Sequence, residues 1–311
     1  MSIIKKTLKL FQVHRLYQFF HNRVYMAARA VWEEVGLITL LLRNTKYSSD
    51  DEVILASLRT KTHILDKGLQ SDYWMPNRGK TVYNECVKRL NLLSDSPLKS
   101  DPSYQWAKGK ILEYEKAQRL KRGESSDYIP IHDNVKTRGL LCEIIKTRRS
   151  VRFFLDRPIQ ADVLEKLVDV VNWGPASCNR QPIVLHVTQK RGLIRRCVEQ
   201  CAGWTCFSEI GPACFIAVCT DMRFYELADR HLHLIDGTFG IQNLLLLAHT
   251  YGIEGTVLNW MCATKRQNRT LRKLLDIPKY QKIIFNLVLG YPAKAAHPPG
   301  RKEVDRTYKL H

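Results

Sequence analysis

Residues 235 to 251 read IDGTFGIQNLLLLAHTY. Around Leu244 to Ala248 this run is apolar on every side of a helix, so the helix it forms has to be covered all round. Gly252 stops it. Apolar runs that read as strands lie before and after it: Ile183 to Thr188, Ala213 to Thr220, Thr256 to Leu258 and Ile283 to Leu289. Shorter helical patterns separate them. One runs from Thr137 to Lys146, with Leu140, Leu141, Ile144 and Ile145 expected on its core side. A second follows Gln160-Ala161-Asp162, carries Leu164, Leu167, Val168 and Val171 on one face, and ends at Gly174-Pro175. Two more, at 190 to 201 and 264 to 275, have basic outer faces. Few, widely spaced strands mixed with helices predict an α+β sandwich of helices around one sheet.

The first 134 residues read differently, as helix throughout. Leu10, Val13, Leu16, Tyr17 and Phe20 recur at helical spacing among basic residues. Ser48 to Asp50 offer an N-cap for a helix reaching to about residue 70, with Asp51 and Glu52 in the favoured first turn. Residues 81 to 93 and 103 to 122 continue the pattern. The polar stretch Gly123 to Asn134 reads as a linker. The domains are therefore expected at 1–134, a helical extension, and 135–311.

The chain has 311 residues and a formal net charge of +19. That charge is spread evenly. Up to residue 140 there are 24 Lys and Arg against 15 Asp and Glu, and after it 25 against 15. An even positive field favours anionic ligands, but no RNA- or DNA-binding module accompanies it, so nucleic acid is not expected as a partner. Nine cysteines follow no disulfide framework, and the x3 and x4 gaps of Cys197, Cys201 and Cys206 match no common zinc spacing. Free thiols, no metal and a cytoplasmic location are the expectation. Lys5, Lys6 and Lys9 precede no sustained apolar run, so no signal peptide is expected. The stretch from Val24 to Leu42 contains Arg29, Glu33 and Glu34 and is too short in its apolar part to span a bilayer. Contact of residues 1–43 with a membrane surface stays open.

Two short motifs flank the helix before Gly174. The first is basic: Arg148, Arg149, Ser150 and Arg152, in RRSVR. The second is a small polar loop, PASCNRQP, at Pro175 to Pro182. Arginine forks suit phosphate, through paired charge-assisted bonds. Ser, Asn and Gln suit a heterocycle, because they donate or accept as required. A third place, GIEGTVLNW at 252 to 260, follows the long helix. No Ser-His-Asp or Cys-His pattern for a side-chain nucleophile appears.

The ordered pair RRSVR and PASCNRQP, one helix apart, resembles the nitroreductase family of flavin enzymes. The resemblance covers roughly Thr137 to Arg306 and includes the strand ending in LGYP and the arginine of PPGR. It implies a nitroreductase-like helix-sheet-helix sandwich, preceded by the all-helical N-terminal region. It also implies FMN bound at a homodimer interface, with NADH or NADPH as transient donor and a small-molecule acceptor. Carried over position by position, Arg148, Arg149, Ser150, Arg152 and Arg301 would hold the phosphate and ribityl end. Pro175, Ala176, Ser177, Asn179 and Gln181 would line the ring from the partner subunit. Asn259 and Trp260 would approach the flavin's reactive nitrogen through backbone amides, and the flavin rather than any side chain would carry the chemistry. Asn259 stands where many members have Glu or Gly. The helical extension, with LDKGL at Leu65 to Leu69, is similar to those on family members linked to polysaccharide biosynthesis. An alternative from another class, a flavin-holding scaffold or assembly protein without NAD(P)H turnover, accompanies that likeness.

Overall fold

The structure is a computed structural model that describes residues 24, 26–70, 75–120, 134–207 and 211–311. Its helices are α1 (26–42), α2 (Asp51–Leu69), α3 (Lys80–Leu92), α4 (Pro102–Leu120), α5 (Val135–Thr147), α6 (Ala161–Asp169), α7 (Arg191–Val198), α8 (Leu232–Thr250) and α9 (Lys265–Leu274). The strands β1 (Ile183–Thr188), β2 (Cys214–Asp221), β3 (Glu254–Asn259) and β4 (Gln281–Gly290) form one antiparallel sheet in the order β1-β2-β4-β3. The readings of residues 1–23 and most of the 123–134 linker lie outside the described residues.

Period-two alternation divides the sheet's side chains between two cores. Phe215, Ala217 and Cys219 of β2 face the side covered by α7 and α9, where Ile194, Cys197 and Leu271 pack. Cys214, Ile216 and Val218 face α6 and α8, where Leu167, Ile241, Leu244 and Ala248 pack. All eight residues of β2 are buried. The helix-sheet-helix sandwich is therefore observed; α8 is buried where it meets the sheet and α6, but Ile235 and Phe239 on it are about half exposed, so it is not covered all round within the chain.

Two glycines let α8 sit that deep. A methyl group on Gly237 would lie 1.9 Å from Ile284 Cδ1 on the sheet. One on Gly240 would lie 2.2 Å from the Val171 carbonyl oxygen, in the turn between α6 and Gly174. Gly174 returns the contact, with only 2.4 Å available between such a methyl and the Gly240 nitrogen. The chain segment that opens the PASCNRQP loop is thus seated directly on the helix backbone.

α5 departs from expectation. Leu140, Leu141 and Ile145 are each about half exposed, and none of its residues is buried within the chain. Periodicity identified an apolar face, but that face has no cover among the described residues.

In the N-terminal region α2, α3 and α4 enclose a core of their own, with Leu55, Leu58, Cys86, Leu93 and Ala107 buried. Asp50 caps α2 by accepting the Glu52 N–H. Leu65–Leu69 form the last turn of α2, and Leu65 is part of that core. Arg223, on the other region, donates to Asp50 Oδ2 at 2.7 Å and to Asp221 Oδ2 at 2.6 Å. α1 does not join α2–α4. It packs Leu37 and Leu41 against Met222 and Tyr225, and Arg230 donates to its Glu34 at 2.6 Å. No described helix is long and apolar enough to cross a membrane.

Gly240→Ala tests the seating of α8. The obstructing atom is a backbone carbonyl, which cannot rotate away, so the variant should lose about 2 kcal/mol. That corresponds to a melting midpoint lower by roughly 4–8 °C; an unchanged midpoint would contradict the close contact.

Candidate active site

α5 delivers the basic cluster to the edge of the sheet. Asn134 caps its start by accepting the Thr137 N–H. Beyond its end, Ser150 forms a parallel bridge with Gly255 of β3. The Thr256 hydroxyl donates to the Val151 carbonyl at 2.6 Å, a buried bond that pins the segment to the strand. A polar chain anchors it from behind: Thr147 Oγ1 meets His249 Nε2 at 2.8 Å, and His249 Nδ1 meets Glu254 Oε1 at 2.6 Å. Glu254 Oε2 accepts the Arg149 backbone N–H at 3.3 Å. His249 and Glu254 escaped the sequence reading, although Glu254 lies in the GIEG turn that it singled out.

The three arginines divide their work. Arg149 Nη1 donates to the carbonyls of Lys146 and Arg148, at 2.6 and 2.9 Å, and so closes the C-terminal turn of α5. Among the described residues, no hydrogen bond or ion pair engages the guanidinium of Arg148 or of Arg152. Arg152 is exposed and Arg148 half-buried. The segment that carries these two cations lies beside β3, and among the described residues no carboxylate pairs with either.

β3 is one of the two edge strands, and beyond Gly255 its outer edge meets no other strand among the described residues. Val257, 46% exposed, and Asn259 alternate on one face, while Leu258 and Trp260 turn into the α7–α9 core on the other. Asn259 Oδ1 accepts the Met261 N–H at 2.9 Å. The expected partners Asn259 and Trp260 thus point opposite ways, and the Trp260 side chain is turned away from the face that carries Val257. Arg301 is exposed. Its hydrogen bond, at 3.2 Å, goes to the carbonyl of Gly300, and no contact brings it to Arg148.

The PASCNRQP loop is built around a buried carboxylate. Ser177 donates both its backbone N–H and its hydroxyl to Asp236 Oδ1, each at 2.8 Å. The Tyr225 hydroxyl donates to Oδ2 at 2.8 Å. Burial, with the adjacent Asp236 carboxylate, pushes the Tyr225 hydroxyl well above its ordinary pKa. Arg180, also buried, pairs with Asp229. Pro182 accepts the Asp221 N–H and ties the loop to the end of β2. Cys178, Asn179 and Gln181 take left-handed backbone conformations, with φ of 51°, 54° and 52°. Non-glycine residues adopt that region at a cost, and such positions concentrate at functional sites. Gln181 Nε2 donates to Asn179 Oδ1, which leaves the Asn179 amide donors and the Gln181 side-chain carbonyl uncommitted to each other. The Ser177 hydroxyl is therefore turned inward rather than offered to a ligand. Pro175 is exposed and Ala176 half-buried. Asp236 was missed, and its signal was a lone carboxylate in an otherwise apolar helix.

One chain does not bring the two motifs together. The loop is attached at Asp236 and the basic cluster at His249. These anchors are 13 residues apart on α8, about 20 Å at 1.5 Å per residue.

The model of the nitroreductase family matches residues 145–205, which hold both motifs. A protein of Archaeoglobus fulgidus with the provisional name NADH dehydrogenase/NAD(P)H nitroreductase is 31% identical over 155 residues, covering 48% of this chain and 84% of that protein. The chain belongs to the nitroreductase family. A like-named protein of Methanothermobacter thermautotrophicus is 27% identical over 170 residues, 54% of this chain and 84% of its own. The FMN reductase [NAD(P)H] of Bacillus subtilis is 27% identical over 169 residues, 49% of this chain and 66% of its own. Nitroreductase-family membership accounts for the sandwich and the paired motifs; α1–α4 lie outside the matched residues of the family model.

Asp236→Ala should cost roughly 3 kcal/mol, because it strands the buried Tyr225 hydroxyl and the half-buried Ser177 hydroxyl together. Asp236→Asn, which keeps an acceptor for Ser177, should cost less. Denaturant midpoints measure both; equal stability of wild type and Asp236→Ala would contradict the node.

Proposed function

We propose that this protein is an FMN-dependent oxidoreductase that takes hydride from NADH or NADPH and passes it, in a ping-pong sequence, to an electron-poor small-molecule acceptor. The observation that carries the reading is the pairing of two unneutralised guanidinia, Arg148 and Arg152, with the open edge and bare face of β3. A flavin phosphate supplies the missing negative charge. The unpaired backbone groups of the β3 edge suit the polar rim of the ring, and the exposed Val257 suits its apolar surface. FMN, when bound, supplies the two-electron carrier chemistry.

The chain's own groups then position and polarise. Arg148 and Arg152 hold the anionic end. Arg149 keeps the α5 terminus closed, and Glu254 with His249 fixes the turn that aims the cluster. Backbone N–H groups at Asn259 and Trp260 favour negative charge developing at the ring, being dipoles already oriented before reaction. The same cleft admits donor and then acceptor, which accounts for the ping-pong order.

The reading includes a homodimer. The ~20 Å between the anchors of the two motifs on α8 means that Asn179 and Gln181 meet a flavin held by Arg148 most simply when they come from a second copy. The uncovered face of α5, with Ile235, Phe239 and Trp173 exposed on and beside α8, offers the apolar surface for that pairing. The nine cysteines, all unpaired, fit a cytoplasmic enzyme.

Titrating apoprotein with FMN and following flavin fluorescence tests the site. Replacing both Arg148 and Arg152 with Ala removes two charge-assisted contacts and should weaken binding about a hundredfold or more. Unchanged affinity would contradict the assignment.

A further inference from the structure

A second cavity, of about 800 Å³, lies between α1 and the α9–β4 side of the sheet. Its walls come from both halves of the chain, and α1 is outside the matched family residues. Arg29 of α1 closes one end. It donates to the carbonyls of Met261, Cys262 and Ala263, at 3.3, 3.4 and 2.7 Å, and to Glu33 at 2.8 Å. Glu33 is the lining carboxylate, and Arg29 already balances it.

Five further cations line the space: Lys265, Arg266, Arg272, Lys279 and Lys282. Among the described residues, none of them has an ion pair with a carboxylate. Arg272 donates only to backbone carbonyls, those of Ile277, Pro278 and Gln281. Burial lowers the pKa of both Arg272 and Lys282, and at Lys282 it outweighs the opposing pull of the Glu33 and Glu34 carboxylates. The sequence before α1 brings no relief, since residues 1–23 contain no Asp or Glu. The first turn of α9, which Thr264 and Gln267 cap reciprocally, also lines this space.

The walls carry two indoles. Trp32 of α1 is 70% exposed, with the Lys265 ammonium 5.7 Å from its ring centroid. Trp260 lies on the β3 side and is buried. The volume is within the range of small-molecule sites. Concentrated positive charge beside an available aromatic surface selects an anion that also carries a planar ring.

We infer that this cavity binds a nucleoside diphosphate, its phosphates among Lys265, Arg266, Arg272, Lys279 and Lys282 and its base against Trp32. The site is separate from the flavin cleft. Trp260 turns to this side of β3 and Val257 and Asn259 to the other, so one strand end serves both.

ADP titration of the full chain, read by calorimetry and tryptophan fluorescence, tests the inference. Wild type should bind ADP saturably, with quenching, and bind inorganic pyrophosphate at least tenfold more weakly. Arg266→Glu/Lys279→Glu, on two exposed residues, should weaken ADP at least tenfold. Trp32→Ala should weaken ADP but not pyrophosphate. The Arg148→Ala/Arg152→Ala variant should bind ADP as wild type does, which separates this site from the flavin cleft. Absence of saturable ADP binding would overturn the inference, as would affinity unchanged by the Arg266/Lys279 reversal or lost with Arg148 and Arg152. Equal affinity for ADP and pyrophosphate would overturn the assignment of the base to Trp32.

Discussion

The burial of α8 governs the rest of the molecule. A helix apolar on all sides needs cover; the sheet, α6 and the turn before Gly174 cover one side of α8, and Ile235 and Phe239 stay about half exposed on it. Close packing then turns cover into position. With no Cβ at Gly237 and Gly240, sheet and turn approach the helix backbone directly, and neither can slide without collision. The helix becomes a ruler. Asp236, near its N-terminal end, holds the polar loop, and His249, near its C-terminal end, holds the basic cluster through Thr147 and Glu254.

Much of this was legible in the sequence. The four strands and the helices among them follow from apolar runs and periodicity, and the ordered pair RRSVR and PASCNRQP points to the family by itself. What escaped was the direction in which polar groups turn. Ser177 looked like a ligand-facing hydroxyl, yet both its donors go to Asp236, because a buried carboxylate without partners would be far more costly than a loop serine withheld from solvent. Arg149 looked equivalent to Arg148, yet it is spent on the helix end. The face of α5 looked like core because periodicity reports an apolar face and not what covers it. Arg301 shares a motif with the others, but tail residues have no periodic pattern to fix their place.

The N-terminal region splits in a manner no composition shift announced. α2–α4 bury their own core, whereas α1 lies on the second region through Leu37, Leu41, Glu34 and Arg29. That placement converts a basic, otherwise open flank of α9 and β4 into an enclosed space. The chain's charge of +19 is even along the sequence, but folding concentrates part of it twice, at Arg148 and Arg152 and beneath α1. Where such cations are withdrawn from water, as Arg272 and Lys282 are, they oppose folding, and a bound anion would offset that cost.

The most direct test of the central claim is the visible spectrum of freshly purified protein under anaerobic conditions, before and after NADH and then NADPH. The account predicts flavin absorption that bleaches with at least one of the two donors. Flavin bands that neither donor bleaches would contradict the oxidoreductase and favour a flavin-holding scaffold. A colourless protein that takes up no added FMN would contradict the site itself.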